Sequence, residues 1–214
     1  MRRIRSVWGS GGSKIISARR TTFYACILTC VAYYAIFLFQ PYWPTKDSAH
    51  YYLLGRSLSE GKGYIDYFCP EPRQHYYFPP GYPFLLSLVI RIFGDKLLLL
   101  RLANIITAGA SLLVLAGILK RRLVQKDYVI ILLFFALNPL FIEFVQIICS
   151  EPVYMLFSWL GIYCLQEGQK PLNLRCILFG SLAMAVAFYL RTIGITLFLA
   201  TSIYFSSFPI FSIP

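Results

Sequence analysis

Residues 97–119 read LLLLRLANIITAGASLLVLAGIL, twenty-three positions with one charge, Arg101. As an α-helix rising 1.5 Å per residue this run reaches about 35 Å, enough to cross roughly 30 Å of hydrocarbon. Arg101 stands near one end, from where its long side chain can snorkel to the headgroups. Further apolar runs lie on both sides, at 22–40, 128–147, 151–166, 176–190 and 195–213. The 214-residue chain is 58% hydrophobic, with 14% charged residues and a mean hydropathy of +0.64. A soluble domain carries roughly 25% charge, so a multi-spanning membrane protein is the expected class. The net charge of +11 does not indicate nucleic acid, because the basic residues sit in short clusters between apolar runs, as in cytoplasmic membrane loops.

The basic clusters orient the chain. Residues 1–20 contain Arg2, Arg3, Arg5, Lys14, Arg19 and Arg20 and no acid. The uncharged run 22–40 is longer than a signal-peptide core, and Trp43 follows it as in an interfacial aromatic belt. This predicts an uncleaved first span with a cytoplasmic N-terminus. Segments 1–20, 120–126 and 167–175 together hold twelve Lys or Arg, against six in the longer segment 41–96. That asymmetry satisfies the positive-inside rule. The expected fold is all-α, with six transmembrane helices, both termini inside, and two surface helices in a large first outer loop at 41–96. The chain divides into a basic cytoplasmic N-terminus, 1–20, and a transmembrane region, 21–214. Asn138 and Pro139 should break the 128–147 helix before its outer end, and Pro152 suits the first turn of the next.

The outer loop holds the chemistry. Residues 47–83 read DSAHYYLLGRSLSEGKGYIDYFCPEPRQHYYFPPGYP, and both histidines and five of the nine acids fall between Asp47 and Lys96. Asp47 is an expected N-cap for a helix over 48–60 that Gly61 and Gly63 stop. Tyr51, Leu54 and Leu58 share a face at helical spacing. Prolines at 70, 72, 79, 80 and 83 argue against regular structure before a second surface helix at 83–93. His50 and His75, with Asp66 or Glu71, lack a metal-ligand spacing, so no metal is expected. Cys26, Cys30, Cys149, Cys164 and Cys176 fall in or beside apolar runs as packing residues. Cys69 lies in the polar loop, where a bridge to Cys149 is one option.

The motif DSAHYYLLGRSLSEGKGY after a first span resembles the first outer loop of the GT-C glycosyltransferases. The likeness is nearest to the protein O-mannosyltransferase and aminoarabinose-transferase type and their bacterial relatives. The matching residues are Asp47, Tyr51, Tyr52 and Glu60-Gly61-Lys62-Gly63-Tyr64, then Tyr77-Phe78-Pro79-Pro80-Gly81-Tyr82-Pro83. Phe93-Gly94 and Arg101-Leu102 follow, and ALNPLFIEFVQIICSEPVYM is similar to the family's second outer loop, with Pro139 and Glu151 in place. The resemblance spans roughly residues 20–195.

It implies an enzyme that moves a sugar from a polyprenyl-phosphate donor to an acceptor hydroxyl on the outer face, with inversion. Asp47 would be the catalytic carboxylate, and the positive end of a helix dipole would favour an anion there. Glu151 would contact sugar hydroxyls, Arg191 and Arg73 the lipid phosphate, and Tyr77 a sugar face. Each has a plainer reading as well: an N-cap for Asp47, snorkelling for Arg191, a solvated charge for Arg73, a belt anchor for Tyr77. The implied partners are the bilayer, the lipid-linked sugar and a glycan, lipid or protein acceptor, with no cofactor and no nucleic acid. The first loop is nearer the bacterial relatives, implying a bacterial inner membrane rather than an endoplasmic reticulum. Family members run to about twice this length, so a fragment, or a short form working with a partner, is expected. The alternative is a non-catalytic scaffold or partner subunit that retains the motifs. A transporter is disfavoured by the absence of an internal repeat and of charge at the centres of the spans.

Overall fold

The computed structural model describes residues 28–41, 44–168 and 172–207. The basic segment 1–20 and Trp43 lie outside the described residues. Helix α1, Leu28–Phe39, closes in a 3-10 turn at Phe37–Phe39. Helix α2, Lys46–Ser59, starts at Thr45, whose hydroxyl accepts from the Ser48 backbone N–H. Asp47 is therefore not the N-cap expected from the sequence. Thr45, two residues earlier, supplies the capping oxygen, and Asp47 falls in the first helical turn. Gly61 and Gly63 then take φ of +75° and +87°, a region where a Cβ is disfavoured, and the helix ends there as expected.

After α2 the prolines leave room for a small hairpin that the sequence did not announce. Strands β1, Ile65–Asp66, and β2, Arg73–Gln74, pair antiparallel. Helix α3, Gly81–Phe93, follows and lies against α2. Gly55 makes that approach possible, since a Cβ there would meet Leu86 Cβ at 2.8 Å.

The remaining helices are α4, Leu97–Leu119; α5, Gln125–Ala136; α6, Pro139–Gln146; α7, Glu151–Gly168; α8, Leu174–Leu190; and α9, Gly194–Ser207. The chain bends by 54° between α5 and α6. The cause is the expected one: Pro139 removes a donor, and the Asn138 side chain restarts the ladder by accepting from Leu140 and Phe141 N–H. By length and composition α4 can cross a membrane, and so can α5 with α6 if the bent pair is one span. Helices α1, α3, α8 and α9 are apolar but shorter. Phe134, Leu178, Phe179, Leu182, Phe198 and Leu199 project their apolar surface outward.

Two apolar clusters hold the elements. Tyr34, Ile105, Leu112, Leu132, Phe141 and Val145 join α1, α4, α5 and α6. Tyr51, Tyr82, Leu86, Leu100, Val153 and Leu190 join α2 and α3 to α4, α7 and α8. Helices α7 and α8 meet through Gly161 and Gly180, where an added Cβ on Gly180 would stand 3.0 Å from Leu165 N and 3.1 Å from Gly161 O. Such small-residue contacts bring helix backbones together in membranes.

Arg101 departs from the snorkelling expected of it. It is 6% exposed, and its guanidinium donates to the carbonyls of Phe37, Leu38 and Gln40 at the end of α1 and to Gln146 O at the end of α6. Phe37 O also accepts from Gln40 N–H at 3.2 Å, and carbonyls at helix ends are the ones that lack the regular intrahelical partner. Cys69 and Cys149 are both free thiols, the first exposed and the second buried, so the bridge between them does not form.

Candidate active-site cleft

The start of α2 is anchored to the start of α7. Tyr51 is buried with its hydroxyl 3.2 Å from Ser150 Oγ, the residue before α7. Burial pushes the Tyr51 phenol above its ordinary pKa, against the opposing Ser150 hydrogen bond and the nearby Arg191. One turn before Tyr51, Asp47 is exposed. Its carboxylate has no hydrogen bond or ion pair among the described residues.

Glu151 heads α7 and Arg191 closes α8 in an extended conformation, φ −149° and ψ 132°. Arg191 Nη1 pairs with Glu151 Oε1, although forty residues separate them. Burial works against the Arg191 charge, but the Glu151 carboxylate more than offsets it and its pKa stands above the ordinary value. The other carboxylate oxygen, Glu151 Oε2, is buried without a hydrogen-bond partner.

Asp47, Glu151, Arg191 and Tyr77 line one cleft of about 660 Å³, together with Lys46 and Glu143. Its size falls within the range of small-ligand sites. Tyr77 is 82% exposed, its ring edge-on to Phe78 at 4.8 Å. Three carboxylates and two cations thus border a single opening, with aromatic and proline side chains of the 77–79 segment as one wall. Arg73 is not brought there. It lies in the hairpin, largely exposed, and pairs with Glu71 at 2.8 Å.

Lys46 is the lining charge that the sequence reading does not assign. Glu143, an acid inside the apolar run 128–147, reads from the sequence either as a second acidic contact beside Glu151 or as an interface residue. The fold puts it on the cleft. Among the described residues no three His, Cys, Asp or Glu side chains converge as a metal site would require.

A helical chain with apolar outward faces and a charged cleft at the ends of its helices fits the GT-C class of membrane glycosyltransferase. The family model for dolichyl-phosphate-mannose-protein mannosyltransferases matches residues 78–211, and the chain belongs to that family. The matched segment contains Glu143, Glu151 and Arg191 and begins after Asp47. No curated protein and no solved structure matches the chain. The family points to sugar transfer at a membrane from a lipid-linked donor.

Proposed function

We propose that the cleft transfers mannose, or a similar sugar, from a polyprenyl-phosphate donor to an acceptor hydroxyl at the outer face, with inversion. The observation carrying this reading is the convergence of Asp47, Tyr77, Glu151 and Arg191 from four separate parts of the chain. The acceptor oxygen attacks the anomeric carbon as its proton passes to the Asp47 carboxylate. The bond from that carbon to the phosphate oxygen breaks, and the lipid phosphate leaves with the electron pair. Arg191 meets the charge that develops on the leaving phosphate, where a fixed cation helps most. Glu151 holds Arg191 in place through their ion pair, and its second oxygen is available to a sugar hydroxyl. Tyr77 lies against a face of the sugar, and the apolar wall excludes water that would otherwise hydrolyse the donor. Arg73 is retained as a contact to lipid phosphate at the loop rather than inside the cleft.

In this scheme α1, α4, α5 with α6, α7, α8 and α9 are the six spans, and α2 and α3 lie on the outer surface. The supporting observations are the outward apolar faces and the positive-inside asymmetry. A bacterial inner membrane is the proposed location.

The test is transfer of radiolabelled mannose from polyprenyl-phosphate mannose in membranes carrying the chain. Asp47→Asn should lower the rate by about 100-fold or more, as loss of a general base does. Transfer that persists near the starting level in that variant would remove Asp47 from the role of base. No transfer by the unaltered chain in any membrane preparation would instead favour a non-catalytic role.

A further inference from the structure

The wall of the cleft at residues 77–79 is held by a side-chain latch behind it. His75 is 7% exposed, and both of its ring nitrogens are engaged. Nδ1 lies 2.9 and 3.0 Å from the two Asp66 carboxylate oxygens. Nε2 lies 2.9 Å from the Phe78 backbone N–H, which donates to it. Those partners select one tautomer. A carboxylate requires N–H on Nδ1, and an incoming amide N–H requires a lone pair on Nε2. The ring also stacks on the Phe78 side chain, 7° from parallel at 5.5 Å.

Phe78 is held at its carbonyl as well, where the Tyr64 hydroxyl donates at 2.7 Å. The His75 backbone N–H in turn donates to Tyr64 O at 3.0 Å, which fastens the two latch residues to each other. The Phe78 ring then packs at 4.7 Å from Tyr51, the residue that ties α2 to α7. Phe78 precedes Pro79 and Pro80, which have no N–H to contribute. The backbone of this wall therefore depends on side chains for its hydrogen bonds.

We propose that His75 is a positioning residue for the reaction. Asp66 fixes its tautomer, and His75 fixes Phe78, so that Tyr77, Phe78 and Pro79 form a rigid face for the sugar of the lipid-linked donor. The proposal rests on the reading of the cleft as a sugar-transfer site. Loss of the latch should weaken donor binding without removing any group that takes part in the chemistry.

Two variants separate the hydrogen bonds from the ring. His75→Phe keeps a stacking ring and loses both hydrogen bonds. His75→Gln loses the ring and keeps an oxygen able to accept from Phe78 N–H. With polyprenyl-phosphate mannose as donor, His75→Phe should raise KM about tenfold, the size expected for one lost hydrogen bond, while kcat stays near the wild-type value. His75→Gln should restore most of that KM. An unchanged KM in His75→Phe, an equal fall in kcat alone, or no rescue by His75→Gln would overturn the role.

Amide hydrogen exchange at Phe78, measured on the full chain in lipid nanodiscs, reads the latch without any turnover. His75→Phe should speed that exchange about tenfold or more, the same hydrogen bond being lost, and His75→Gln should return it toward wild type. If the unaltered chain transfers no sugar, the function reading has failed, and the exchange measurement alone decides the latch. Should His75→Phe not fold, Asp66→Ala frees the tautomer and must also speed Phe78 exchange. Exchange unchanged in these variants sinks the proposal.

Discussion

Arg101 shows how much one residue's surroundings change its meaning. From the sequence it is a charge near the end of a span, with a long stem able to reach headgroups. In the folded chain it is turned inward, and four carbonyls from α1 and α6 converge on it. A cation that closes two helix ends should matter more than a solvated one. Arg101→Met is expected to lower stability by about 3 kcal/mol, because partly buried carbonyls lose a charged donor. Thermal unfolding in detergent checks this, and a change below about 1 kcal/mol would return Arg101 to the lipid surface. Tyr64 makes a second prediction. Burial, with minor contributions from Tyr51 and Asp66, raises its phenol well above the ordinary value of 10.0. A raised folded pKa stabilises fully below pH 10 and loses that contribution as the pH climbs toward the folded value. Tyr64→Phe should cost about 1 kcal/mol near neutrality through the lost bond to Phe78 O. It should also blunt the alkaline loss of stability that wild type shows above about pH 10.

At the scale of elements, the site depends on how α3 meets the end of α8. Gly81 opens α3 directly against the backbone of Tyr189 and Leu190, and an added Cβ would lie 2.5 Å from Tyr189 O. That backbone leads straight into Arg191. Gly81→Ala should therefore act at a distance from its own chemistry, destabilising by about 1–3 kcal/mol as overpacking does and lowering transfer through a displaced Arg191. Gly55→Ala, which would crowd Leu86 in the α2–α3 contact, is the matched control. It should destabilise by a similar amount and affect transfer less, a difference that activity per folded molecule would reveal. The helix boundaries themselves were largely legible in the sequence. The 97–119 run is α4 end to end, and the Asn138-Pro139 break and the Gly61 and Gly63 stop fall where the residues indicate. The hairpin was not legible, because two-residue strands leave no periodicity to read. The N-cap was placed two residues late because Asp and Thr are both good caps, and the choice between them depends on where the chain enters α2.

For the whole molecule, the proposed topology sets the outer loop and the inner loops on opposite sides of the bilayer. With Cys69 as the sole remaining cysteine, a membrane-impermeant maleimide should label it in intact cells. With Cys176 alone, beside the inner loop, labelling should require permeabilised membranes. Labelling of both from one side would break the six-span scheme. Membrane class, the run of apolar helices and the polar 41–96 segment followed from the sequence alone, because hydrophobicity, charge and turn residues are local properties. The assembly of Asp47, Glu143, Glu151, Arg191 and Tyr77 around one cleft, and the separation of Arg73 from it, came from the tertiary structure. So did the inward turn of Arg101 and the capture of Phe78 by His75. These are contacts between residues far apart along the chain, and side-chain packing between helices decides them. No local pattern records which helix end will face which.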